Sequence, residues 1–125
     1  MKQLEGRKVL IVEDEFLVAI ALSEILEDAG AVVAGPFGRL DEALAYVEAN
    51  GAALDGAILD VTLHGQTSYP IADALLAKGV KFVFASGYDT DALAARYRGY
   101  PKCEKPFRPE SILTALAAAV TQGGC

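Results

Sequence analysis

Residues 8–34 read KVLIVEDEFLVAIALSEILEDAGAVVA, and the fold can be read outward from this stretch. Lys8 to Val12 is a short, mainly apolar run of strand length. Glu15 to Ala29 then places apolar residues at Leu17, Ile20, Ala21 and Ile25, the spacing of a helix, which Gly30 ends. Ala31 to Ala34 is a second strand, closed by Gly35-Pro36. Two strands joined through a helix imply a parallel pair, because parallel neighbours need a crossover connection.

The alternation continues along the chain. Leu40 to Ala49 is a second helix with Leu40, Leu44 and Val47 on one side, and Ala57 to Leu59 is the centre of a third strand. A third helix opens at Ser68, with Pro70 in its first turn, and runs to about Lys78 before Gly79. Val80 to Ala85 is a fourth strand, apolar apart from Lys81, Asp89 to Tyr97 a short fourth helix, and Lys102 to Glu104 a fifth strand. Pro109 leads a final helix with Ile112, Leu113, Leu116 and Val120 inward. Strands alternating with helices give a parallel sheet covered on both faces, so the expected class is α/β, a flavodoxin-like (βα)5 doubly wound sheet in the order 2-1-3-4-5. No linker or repeat interrupts it. One domain is expected over residues 1–125, with its core at about 7–121, and with only Gln122-Gly-Gly-Cys125 after the last helix no output domain is expected.

Composition narrows the function classes. With 125 residues, 53% of them hydrophobic, the chain can bury a core of its own. No apolar run reaches membrane-spanning length, and the first residues are charged where a signal peptide is apolar, so a cytoplasmic protein is expected. A formal charge of −6 without a basic stripe argues against nucleic acid and anionic membrane as partners. Cys103 and Cys125 have neither disulfide-framework nor metal-ligand spacing and read as reduced thiols.

In open sheets of this order, ligands bind beyond the carboxyl ends of the strands, at the switch point between strands one and three. Glu13, Asp14 and Glu15 follow strand one, Asp60 strand three, Ser86 strand four, and Lys105-Pro106 strand five. Each has an ordinary explanation alone, as with acids favoured in a first helical turn. Their convergence on one edge is what carries chemistry. Carboxylates gathered there must protonate or bind a cation, and an all-oxygen set suits Mg²⁺. Asp60 would be the nucleophile that takes a phosphoryl group. Mg²⁺ held by Glu13, Asp14 and Asp60 would offset charge on its oxygens, with the Lys105 ammonium and the Ser86 hydroxyl pairing to others. His64, the only histidine, reads as a solvated loop residue, and Arg96, Tyr97, Arg98 and Tyr100 as either a partner patch or an ordinary helix end.

These residues resemble the response regulator receiver family of two-component signalling over essentially the whole chain. Val9–Glu15 is similar to its first strand and acidic pair, Ala57–Val61 to its acceptor strand, Phe84–Gly87 to its hydroxyl-bearing turn, and Glu104–Phe107 to its lysine turn. The resemblance implies that the Thr62 backbone carbonyl is a further Mg²⁺ ligand and that the Lys105–Pro106 bond is cis. Phe84-Ala85-Ser86-Gly87-Tyr88 also resembles the FAT GUY branch, with Ser86 where Thr is commoner. Receivers usually carry an aromatic switch residue three places before the lysine; here that place is Lys102, and Tyr88 is the candidate for a related role.

The function so implied is a phospho-acceptor, not an enzyme in its own right. A histidine kinase or histidine phosphotransfer protein would be the donor, and a downstream protein could read the surface of the fourth helix, fifth strand and fifth helix, near Tyr88, Lys102 and Pro106. A flavin or nucleotide site would want a Gly/Ser/Thr-rich cradle after strand one, where acids stand. An aspartyl phosphohydrolase would carry a second Asp two places after Asp60, where Thr62 stands. The remaining alternative is a receiver-like interaction module that works without phosphorylation.

Overall fold

The computed structural model describes residues 3–86, 97, 100, 102–104 and 108–122, with Ser86, Glu104, Thr121 and Gln122 as backbone only. The elements are β1 (Lys8–Val12), α1 (Phe16–Asp28), β2 (Val32–Phe37), α2 (Leu40–Asn50), a 3₁₀ turn (Gly51–Ala53), β3 (Gly56–Asp60), β4 (Thr62–Leu63), β5 (Gln66–Thr67), α3 (Tyr69–Ala77), β6 (Lys81–Ser86), β7 (Lys102–Glu104) and α4 (Pro109–Gln122). The expected fourth helix, apart from Tyr97, lies outside the described residues, as do Tyr88, Arg96, Arg98, Lys105, Pro106 and Cys125.

Five strands pair in parallel in the order β2-β1-β3-β6-β7, the doubly wound order expected once the small β4–β5 hairpin is set aside. Alternate residues of each strand point to opposite faces. Leu10, Val12, Leu59, Phe82 and Phe84 therefore pack with α2 and α3, while Val9, Ile11, Ile58, Val83 and Ala85 pack with α1 and α4. Apolar side chains on both faces of one strand explain the unbroken runs at β1 and β6. Burying one such Leu, Ile, Val or Phe contributes about 1.5–3 kcal/mol. Gly56 lets α4 approach the sheet: a Cβ there would lie 2.8 Å from Val120 Cγ1.

Local structure departs from the sequence expectation at four places. The inward face of α1 is Ala19, Leu22 and Leu26, not the stripe that begins at Leu17 and Ile20. The helix is apolar nearly all round, so periodicity alone does not choose a face. β2 runs on through Gly35-Pro36 to Phe37; the register shifts after Leu10, and Val12 pairs with Phe37. Ser68 precedes α3 but makes no side-chain cap, for its backbone is turned (φ −86°, ψ 9°) away from the extended form that aims a capping hydroxyl. Tyr97 is buried rather than part of a surface patch. It stacks on Tyr69 with ring centroids 5.1 Å apart, meets Phe84 at 5.4 Å, and donates its hydroxyl to Asp73 Oδ1 on α3.

Candidate functional site

Parallel pairing brings the strand ends together. Val12 lies opposite Leu59, so Glu13 follows at the level of Asp60, and Asp60 lies opposite Ala85, so Ser86 follows one residue on. Ser86 in turn pairs with Glu104. Backbone bonds hold these ends: Glu13 N–H donates to the Phe37 carbonyl (2.9 Å), and Val61 N–H to that of Ala85 (3.1 Å). Sequence reasoning thus placed the backbones of Glu13, Asp14, Asp60 and Ser86 at one edge. Lys105, Pro106 and Tyr88 are outside the described residues, and Lys102 is half-buried beside Phe84 in the β6–β7 ladder.

The acids sit in different surroundings. Glu13 is 3% exposed and Asp60 7%, whereas Asp14 is half-buried and Glu15 open to solvent. Glu13, Asp14 and Glu15 each offer a carboxylate oxygen within 4.8 Å of the others. Glu15, which the sequence reading left out of the ligand set, belongs to this group, and its N–H donates to Glu13 Oε1 (3.0 Å). Asp60 accepts a hydrogen bond at Oδ1 from the Thr62 N–H (3.3 Å), so Thr62 meets the acceptor position through its backbone. Burial pushes the Asp14 carboxyl up, but the His64 N–H, the His64 imidazole and the Asp60 carboxyl together outweigh it and hold Asp14 below the usual aspartate value. Among the described residues this group is three carboxylates, an all-oxygen set that fits a hard divalent cation such as Mg²⁺.

Three features surround the site. His64, at the tip of the β4–β5 hairpin, donates its backbone N–H to Asp14 Oδ2 at 2.9 Å, while its side chain is largely exposed, as expected. An open cleft of about 470 Å³ lies between this hairpin and the start of α2, lined by Arg39, Leu40, Asp41, Leu44, His64 and Gln66. On the other side, the first turns of α1 expose Phe16 (74%), Leu17 (78%) and Ile20 (38%) directly after the acids. The signal for that patch is present in the sequence, where FLVAIAL is apolar on every face of a helix only one side of which can pack.

The solution structure of SdrG from Sphingomonas melonis Fr1 is similar to this chain at 41% identity and a TM-score of 0.81, covering 97% of this chain and 99% of SdrG. The BeF3-activated conformation of SdrG from Pseudomonas melonis Fr1 matches at 42% identity, with a TM-score of 0.76 and coverage of 90% and 95%. The chain belongs to the response regulator receiver domains. A response regulator receiver protein from Sinorhizobium medicae WSM419, at 24% identity, a TM-score of 0.82 and coverage of 96% and 98%, shares the receiver fold. No family model and no curated protein matches the chain. Among the described residues, no helix of this receiver is long and apolar enough to cross a membrane.

Proposed function

We propose that this receiver is a phospho-acceptor of two-component signalling in the cytoplasm, with Asp60 as the acceptor. The observation that carries the proposal is the setting of Asp60: a buried carboxylate at the end of the central strand, beside Asp14 and at the level of Glu13. A carboxylate oxygen of Asp60 would attack the phosphorus of a phosphohistidine. The O–P bond forms, the P–N bond breaks, and the departing imidazole nitrogen keeps the electron pair and takes a proton. Glu13, Asp14, Asp60 and the Thr62 carbonyl would hold Mg²⁺, which when bound offsets the charge that builds on the phosphoryl oxygens. The Ser86 hydroxyl and the Lys105 ammonium would pair with those oxygens, and the Thr62 N–H would steady the acceptor carboxylate. That SdrG has a BeF3-activated conformation supports a site of this kind.

The donor would be a histidine kinase or a histidine phosphotransfer protein, and no catalytic turnover of substrate is expected beyond slow loss of the phosphoryl group. Phe16, Leu17 and Ile20 form the apolar surface nearest the acids, the kind of patch that marks a protein contact, and the donor would dock there. Downstream contacts would use Tyr88, Lys102 and Pro106, and membership of the FAT GUY branch is part of the same reading.

The test is incubation with a small phosphoryl donor, with and without Mg²⁺, read by intact mass alongside Asp60→Ala. A single Mg²⁺-dependent phosphoryl adduct, absent from the variant, is expected. An adduct of equal yield in Asp60→Ala moves the acceptor elsewhere. No adduct from small donors or from candidate kinases leaves the phosphorylation-independent interaction module as the function.

A further inference from the structure

Between the acceptor strand and α3 the chain makes a tight hairpin. Thr62 pairs with Thr67 and Leu63 with Gln66, leaving His64-Gly65 as a two-residue turn. Both turn residues have positive φ, 46° for His64 and 82° for Gly65, the sign required at both centres of a type I′ turn. His64 is the one described residue other than glycine in that region, which non-glycine residues seldom occupy. The strained turn has a clear structural consequence. It sends the His64 N–H out of the hairpin ladder to Asp14 Oδ2, 2.9 Å away and 50 positions distant in sequence. The imidazole contributes no hydrogen bond there, since Nδ1 is 3.9 Å from the same oxygen. At its base, the same hairpin holds Asp60 through the Thr62 N–H.

We infer that the β4–β5 hairpin is a positioning device for the metal ligand Asp14, acting through the backbone N–H of His64. The inference rests on the proposal that Asp14 binds Mg²⁺. A carboxylate offers about four lone-pair sites on two oxygens. The His64 N–H occupies one, fixes the rotamer of the carboxylate and leaves the remaining sites for other partners. Ligating carboxylates are commonly held in this way, and loss of the outer partner typically lowers metal affinity about 10–100-fold. Because the contact comes from the backbone, residue 64 need only keep an N–H and a left-handed backbone. Glycine satisfies both conditions, and valine, branched at Cβ, opposes the second.

The experiment compares wild type, His64→Gly, His64→Val and Asp14→Ala by amide hydrogen exchange without metal and by titration with Mg²⁺ alone. Wild type and His64→Gly should protect the residue-64 amide and bind Mg²⁺ alike. His64→Val should lose that protection and about 10–100-fold in affinity, and Asp14→Ala should lose the protection although residue 64 is unchanged. The inference is overturned if the residue-64 amide exchanges equally in wild type and Asp14→Ala, or if His64→Val binds Mg²⁺ as tightly as wild type. If wild type does not bind Mg²⁺, or Asp14→Ala binds it equally well, the ligand assignment itself fails. If Asp14→Ala binds weakly while His64→Val binds normally, only the role of the hairpin falls.

Discussion

Removing the hydroxyl of Tyr97 tests whether the cluster beneath α3 is a working part of the fold. Tyr97 is almost wholly buried, and its ring lies 5.1 Å from Tyr69, 5.3 Å from Tyr100 and 5.4 Å from Phe84. Tyr97→Phe keeps every one of those ring contacts and deletes the hydrogen bond to Asp73. A hydrogen bond to a carboxylate is worth about 1.5–3 kcal/mol net, and the lower end applies because the Asp73 carboxylate is exposed to solvent. For a chain of this length, about 1.5 kcal/mol should lower the midpoint of thermal unfolding by roughly 5 °C. Tyr97→Ala also empties the ring's place and should cost about 3–5 kcal/mol. Urea unfolding followed by far-ultraviolet circular dichroism measures both, with the slope checked for two-state behaviour. Equal stability of Tyr97→Phe and wild type would refute the hydrogen bond as a stabilising contact. Equal stability of Tyr97→Ala would refute the burial of residue 97.

Phe16→Ala with Leu17→Ala should slow phosphoryl transfer from a protein donor and leave transfer from a small donor unchanged. Both side chains face solvent, so stability should shift by no more than about 0.5 kcal/mol each, and equal slowing with both donors would place the patch in the chemistry instead. Gly56→Ala should destabilise by about 1–3 kcal/mol through the collision with Val120, and an unfolding midpoint equal to wild type would show that α4 yields at no cost. For Asp14, the folded-state pKa is depressed, so its contribution to stability is present above the ordinary aspartate value of about 3.9 and lost as pH falls through the depressed folded value. Asp14→Asn should therefore lose stability less steeply than wild type on acidification through that window, and parallel curves from urea unfolding at a series of pH values would contradict the depressed pKa.

The limits of sequence reading show at particular residues. The Thr62–Thr67 hairpin left only a faint trace, because its turn is His-Gly where Asn-Gly or Asp-Gly would announce a type I′ geometry. The fifth strand was legible despite weak propensity, since an α/β alternation demanded a strand between the last two helices. The inward face of α1 was not legible: Leu17 and Ile20 are as apolar as Leu22 and Leu26, and packing against Leu4 and α4 made the choice.

By itself the sequence determined the strand order and the edge where the acids gather. Apolar runs of strand length alternate with helical spacing, and with five such units a doubly wound parallel sheet buries both faces of the strands. The tertiary structure alone decided which of two equally apolar faces of α1 meets the core. It also decided that the His64 N–H reaches Asp14 and that the Tyr97 hydroxyl reaches Asp73. Those contacts join residues 50 and 24 positions apart, and no local pattern encodes them because they exist only once the sheet has brought its edges together.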